Sequence, residues 1–461
     1  MPTIELGELG GEARTGASRP APAATAPPRR HRTVRPVWLA AVLVGLLGPV
    51  AAGEPVPRPW PETTVPARLG STVFAERDWM FVAAPAPTGG GGAELTAYRL
   101  PGGGPRWRAT LPTSDLGSPW LLGDTLLLAT YSERLGGAGR LTAVDVPAGT
   151  VSWSRPASLL VVADTGDAVL WVPSPDRPPE AETPESQPPE AETPENRPAT
   201  LEVVDPASGA VRWSLPVPVG ARPSFDTSAP EPAGPVRATM LVLPLPSGRV
   251  EVRDLGTGAL LRAGLLAPPR SGGQLRWWGE VVGDQFLVHE ERVVTAYGLP
   301  GLDRRWSVPD DQAAEQGPYA CGTGYLCSLR HGGGARVWDA ATGDTRWTDD
   351  RWAGLRPVGD VLIAARVGTG ETEELAVVDP ATGRVLAELG PWAVFTPHDG
   401  RLVGVRYGTD RRALVAEFDP ATWRRHVLAL LPEVSGDCGL TATVLHCRRL
   451  DASVGVWRLP R

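Results

Sequence analysis

The sequence predicts an all-β propeller, and three observations carry that prediction. A motif recurs along the chain in which an apolar strand ends in aspartate, a tight turn follows, and a second strand carries tryptophan. Its spacing settles to 40 residues toward the C-terminus, the size of a four-stranded blade. Glycine (54 residues) and proline (50) are frequent enough to demand many turns and few long helices.

The clearest copies are VDVPAGTVSW with Asp145, Gly149 and Trp153, VDPASGAVRW with Asp205, Gly209 and Trp213, and WDAATGDTRW with Asp339, Gly343 and Trp347. Two copies replace the aspartate turn by Leu-Pro-Gly: AYRLPGGGPRW reaches Trp107 and AYGLPGLDRRW reaches Trp306. Three keep the turn and lose the indole. Asp254 and Gly258 precede Arg262, Asp379 and Gly383 precede Ala387, and Asp419 precedes Val427. The eight positions 107, 153, 213, 262, 306, 347, 387 and 427 are separated by 46, 60, 49, 44, 41, 40 and 40 residues.

Each slot has a physical reason. The aspartate carboxylate caps backbone N–H groups and opens the turn. Glycine four residues later supplies the positive φ that closes the hairpin. Tryptophan projects from the outer strand and buries a large apolar face on the neighbouring blade. Apolar runs ahead of each copy, such as GDTLLLAT (123–130), GDQFLVHE (283–290) and GDVLIAAR (359–366), supply the remaining strands. Eight four-stranded blades are expected, with seven or nine as the neighbouring counts. A truncated ninth unit, VGVWRLP (454–460), ends the chain, and WPETTVP (60–66) is a candidate strand to pair with it and close the ring.

These residues resemble the PQQ-type propeller repeats, whose signature is A-x-D-x-x-T-G-x-x-x-W, over about residues 65–461. The family includes quinoprotein alcohol dehydrogenases and an outer-membrane assembly propeller lipoprotein. For the dehydrogenases the resemblance implies a Ca²⁺ held beside the quinone by Glu, Asn and Asp, a catalytic Asp, and often a disulfide between adjacent cysteines. The chain has no adjacent cysteines, and its one asparagine, Asn196, falls in a low-complexity tract. No cofactor is therefore expected.

Residues 1–36 are rich in Pro, Ala and Gly and read as a disordered cytoplasmic tail ending in Arg29, Arg30, His31, Arg32 and Arg35. The uncharged run 37–53 reads as one transmembrane helix, with arginines before it orienting the N-terminus inward. Cleavage as a signal peptide after Val50-Ala51-Ala52 is the alternative, against which the long preceding segment argues. Residues 54–64 are a linker or closing strand, and 65–461 the propeller, placed outside the cytoplasm. Its four cysteines fall into local pairs, Cys321 with Cys327 and Cys438 with Cys447, each flanking a strand–turn–strand pattern. A thiolate zinc site is the alternative, without CxxC spacing to support it. The tandem decapeptides PPEAETPESQ and PPEAETPENR (178–197) make 173–199 a solvated, disordered acidic insert.

Little catalytic chemistry is legible. All 45 basic residues are arginine, which excludes lysine Schiff bases and lysine general bases. The net charge of −7 gives no footprint for nucleic acid. Histidines 31, 289, 331, 398, 426 and 446 are scattered without metal-ligand spacing. Asp164-Thr165-Gly166 has no second copy to form a protease dyad and reads as a turn. Gly89–Gly92 lacks the strand-to-helix setting of a phosphate loop. Trp277, Trp278, Trp338, Trp352 and Trp392 exceed what the repeat needs. They either fill gaps between blades or stack on a ligand at a propeller face. The function expected is a non-catalytic, membrane-anchored binding or scaffold module for a protein or a cell-envelope polymer. The alternative is an enzyme, a degenerate quinone-dependent dehydrogenase or a hydrolase, using the propeller face.

Overall fold

Residues Pro57–Arg461 form a compact unit. Within it the computed structural model describes residues 60–86, 92–111, 116–130, 139–174, 198–226, 236–266, 277–290, 293–309, 314–330, 333–366, 373–398, 401–441 and 443–459. The tail at 1–36, the apolar run at 37–53 and the acidic decapeptides at 178–197 lie outside the described residues. Among those described, no helix is long and apolar enough to cross a membrane.

The middle strands of each repeat are apolar on both faces. Thr125–Thr130 (TLLLAT) is buried almost throughout, whereas the outer strand Thr150–Pro156 (TVSWSRP) alternates exposed and half-buried. Strands of the first kind need cover on both sides, so each sheet must be sandwiched between two others. The described strands accordingly form nine sheets that follow one another along the chain, antiparallel except for one short added strand. Blades 1 to 8 take their four strands in sequence order from 72–111, 116–156, 158–217, 224–265, 277–309, 314–349, 354–392 and 394–432.

Blade 9 corrects the expected count of eight. It is assembled from both ends of the chain: Val434–Leu440, Val444–Arg449 and Val454–Arg458 are joined by Glu62–Val65, which runs antiparallel to Val454–Arg458 with Thr63 opposite Val456. This sheet has no turn between its third and fourth strands, so it leaves no aspartate–glycine–tryptophan copy to count.

Nine apolar clusters fill the nine junctions between successive sheets. Adjacent residues of one strand serve different junctions: Leu126 and Leu128 pack between blades 1 and 2, Leu127 between blades 2 and 3. The cluster of Val65, Val444, Val454 and Val456 with Met80, Val82, Tyr98 and Leu100 joins blade 9 to blade 1 and closes the circle. First strands of neighbouring blades contact each other, as Thr72–Glu76 does with Leu116–Leu122, so they lie where the sheets converge.

Strand alternation divides the connections between two rims. Links from first to second and from third to fourth strand emerge on one side, here the turn rim, and are short. Links from second to third strand, and from blade to blade, emerge on the other, the loop rim. One turn-rim link departs from the rule. Between Ser224–Phe225 and Met240–Pro244 the chain detours so that Arg237–Ala238 pairs in parallel with Ser158–Ala163, giving blade 3 a fifth strand.

Candidate functional site: blade junctions and an aromatic patch at the loop rim

The repeat residues meet across the junctions. Trp107 Nε1 donates to the Val146 carbonyl (2.5 Å), Trp153 to Pro206 (2.9 Å), Trp213 to Leu255 (3.0 Å), Trp306 to Ala340 (2.9 Å) and Trp347 to Pro380 (2.8 Å). In every case the acceptor follows the turn's first residue in the next blade. Each indole also lies flat on the turn glycine. A Cβ on Gly149, Gly209, Gly258, Gly343 or Gly383 would come within 2.5–2.9 Å of the ring of Trp107, Trp153, Trp213, Trp306 or Trp347. Glycine is required there twice over, by φ values of +70° to +75° and by the ring above.

Where the indole is missing, the receiving turn differs too. Blade 4 offers Arg262, and blade 5 answers with Leu302 at positive φ, its side chain packed against Gly264 of blade 4. Blade 7 offers Ala387, and blade 8 answers with Trp423, also at positive φ, which packs into the same cluster as Ala387 and Leu389. Knob and hole have exchanged blades. At the seam, Thr63 takes the docking place and approaches Gly103 of blade 1 so closely that a Cβ there would fall 2.2 Å from its methyl group.

The repeated carboxylates are occupied by their own turns. Asp145 accepts from Ala148 N–H, Asp205 from Ala207 and Ser208 N–H, Asp254 from Thr257 N–H, Asp339 from Ala341 and Thr342 N–H, Asp379 from Ala381 N–H and Asp419 from Ala421 N–H. The Ser208 backbone N–H and hydroxyl hold Asp205 below the usual carboxylate range, and the Arg346 guanidinium does so first for Asp339. Asp164-Thr165-Gly166 forms a turn closed by Gly166 N–H on the Ala163 carbonyl.

Both cysteine pairs are bonded, Cys321 to Cys327 and Cys438 to Cys447. No set of three potential metal ligands converges among the described residues. The sulfurs that the alternative zinc site would need are consumed in the expected disulfides.

The remaining tryptophans divide. Trp338, Trp352 and Trp392 are buried in junctions, each beneath an arginine: Arg336, Arg351 with Arg366, and Arg406. Trp278 is 44 % exposed. The side chain of Trp277 lies outside the described set, as do His31, His331 and the ring of His398. His426 is exposed on an outer strand. His446 is buried against Gly439 between blades 9 and 1, and burial lowers its pKa to about 4.

His289 is a different case. It sits opposite Trp278 in the blade 5 hairpin, and the two rings stack with centroids 3.8 Å apart and planes 2° from parallel. Its Nε2 lies 3.2 Å from Glu280 Oε1. Gly317 of blade 6 passes so near that a Cβ there would fall 2.6 Å from the Glu280 carboxylate. The three side chains form a rigid unit at the loop-rim end of the junction between blades 5 and 6. Sequence reasoning singled out Trp278 and His289 separately and did not pair them. The signal was available: the turn at Gly283-Asp284 sets a register in which residue 278 faces 289.

A cleft of about 310 Å³ opens at the seam, lined among others by Arg68, Ser71, Glu94, Tyr98 and Arg108. Tyr98 donates to the Pro66 carbonyl at 3.5 Å, and burial raises its pKa.

Residues 50–224 match the family model described as "Outer membrane protein assembly factor BamB". Among solved structures, BamB from Moraxella catarrhalis is similar at 15 % identity and a TM-score of 0.38, covering 87 % of this chain and all of that one. The computationally designed protein Ika8 is similar at 12 % identity and a TM-score of 0.40, with 88 % and 99 % covered. An acylaminoacyl peptidase from Pyrococcus horikoshii follows at 11 % identity and 0.36, with 78 % and 52 % covered. No curated protein sequence matches the chain. Indole-on-glycine docking thus repeats between the blades of this propeller, and over residues 50–224 the chain is similar to the BamB-like family of PQQ-repeat β-propellers.

Proposed function

We propose that this propeller is a non-catalytic binding or scaffold module, held at a membrane by its N-terminal apolar run and working outside the cytoplasm on a protein or a cell-envelope polymer. The observation that carries the reading is the state of the repeated carboxylates. All six turn aspartates, from Asp145 to Asp419, are tied to backbone N–H groups of their own turns and are not free to act as bases. The two disulfides favour an oxidising compartment. The arginine-flanked run at 37–53 favours a retained anchor. The family's description as an assembly factor favours scaffolding over turnover.

The test is a titration of the purified full chain with pyrroloquinoline quinone and Ca²⁺, followed by absorbance and dye reduction. No calcium-dependent quinone complex and no dye turnover are expected. Turnover would make the chain an enzyme. Protease protection of the full chain in spheroplasts tests the placement, with the propeller expected to be accessible from outside.

A further inference from the structure

We infer that Trp278, Glu280 and His289 form a carbohydrate subsite that accepts a gluco-configured pyranose at the loop rim of blades 5 and 6.

Exposure alone would not single out Trp278, since isolated apolar residues are common on protein surfaces. What distinguishes it is that its plane is fixed. One face of the indole is covered by the His289 ring at 3.8 Å, and that ring is held in turn by Glu280 at 3.2 Å. The residue is nevertheless 44 % exposed, so an aromatic surface is presented without the entropy loss of ordering it on binding. The other surplus tryptophans whose side chains are described, Trp338, Trp352 and Trp392, are buried, so this one has no packing task that explains it.

A glycine keeps the arrangement clear: Gly317 of blade 6 lies where a Cβ would meet Glu280 at 2.6 Å. Glu280 therefore stands over bare backbone, partly exposed, with one oxygen engaged by His289 and further acceptor capacity on its carboxylate. An aromatic plane next to a fixed acceptor suits a ligand with an apolar face and hydroxyls on its edge. A pyranose with axial C–H groups on one face and equatorial hydroxyls at its rim has that form. A nucleobase would share the stacking, but a net charge of −7 disfavours its phosphates.

This rests on the binding-module reading and narrows it to a glycan. The test is isothermal titration calorimetry of the full chain in detergent with chitotriose, cellotriose and maltotriose in turn. Saturable millimolar or tighter binding of at least one trimer is expected, and the trimer preferred identifies the type of glycan strand. Trp278→Ala should weaken binding by about tenfold or more, Trp278→Phe by less, and Glu280→Gln by several-fold. Leu265→Ser, on the exposed outer strand of blade 4, should leave it unchanged. Saturation-transfer NMR on the wild type should place the indole against the sugar's axial protons. The inference is overturned by no saturable binding of any trimer. Binding that survives Trp278→Ala with the thermal midpoint intact overturns it equally. Either failure leaves the non-catalytic reading standing, because quinone turnover is measured separately.

Discussion

Trp153 Nε1 donates to the carbonyl of Pro206 across the junction between blades 2 and 3 at 2.9 Å, while its ring covers Gly209. The contact combines a hydrogen bond with a steric lock. Gly209→Ala would place a Cβ 2.9 Å from the indole at a φ of +70° and should cost roughly 2–3 kcal/mol. Trp153→Ala should cost about 3 kcal/mol, and Trp153→Phe less, mostly the lost hydrogen bond. Denaturation midpoints of the three variants check the order.

The junction between blades 7 and 8 predicts a rescue. Trp423→Gly alone empties the space beside Ala387 and should destabilise by roughly 3 kcal/mol. Ala387→Trp alone sets two indoles in one place. The double variant restores the arrangement of Trp347 over Gly383, so its stability should exceed the sum of the single effects by more than about 1 kcal/mol. Strict additivity in a double-mutant cycle would show that the two positions do not share the space.

His446 makes stability depend on pH. Its folded pKa of about 4 lies below the ordinary 6.5, because burial disfavours the charged ring. Between those values the unfolded chain binds a proton that the folded one refuses. The stabilisation is full above pH 6.5 and is lost as pH falls toward 4, by up to about 3 kcal/mol. His446→Gln should flatten the stability–pH curve in that window. An unchanged slope would rule out His446 as its source.

Ring closure rests on Arg449, which reaches Glu62 at 2.5 Å and Glu433 at 2.6 Å, and on Arg448, which donates to the Ser71 carbonyl at 2.7 Å. Because Arg449 and Glu62 are largely covered, Glu62→Ala should cost on the order of 1–2 kcal/mol. Hydrogen exchange should rise in 444–458 before it rises in blades 3 to 7. Uniform loss of protection around the ring would contradict this.

Most of the architecture can be read from the chain because one contact is repeated. An indole, a carboxylate and a positive-φ glycine each need a particular residue type, so their spacing shows in the sequence as Trp153, Asp205 and Gly209 do. The ninth blade hides because its docking position is Thr63, a residue with no such demand, and its strands come from opposite ends of the chain. The exchanged junctions hide for a related reason. Arg262 and Ala387 look like decayed copies until Leu302 and Trp423 are seen filling the space from the other side. The pairing of Trp278 with His289 depends on a hairpin register, which a search for repeats passes over. The parallel strand Arg237–Ala238 is two residues long and leaves no pattern at all.

The seam also sets how the ring yields to force. Glu62–Val65 and Val454–Arg458 are antiparallel, so the start of one and the end of the other lie together, with Glu62 opposite Trp457. A pull applied between the two chain ends loads this short ladder like a zipper, one residue pair after another, rather than in shear across all four at once. Mechanical opening therefore begins at blade 9 and spares the covalently continuous blades.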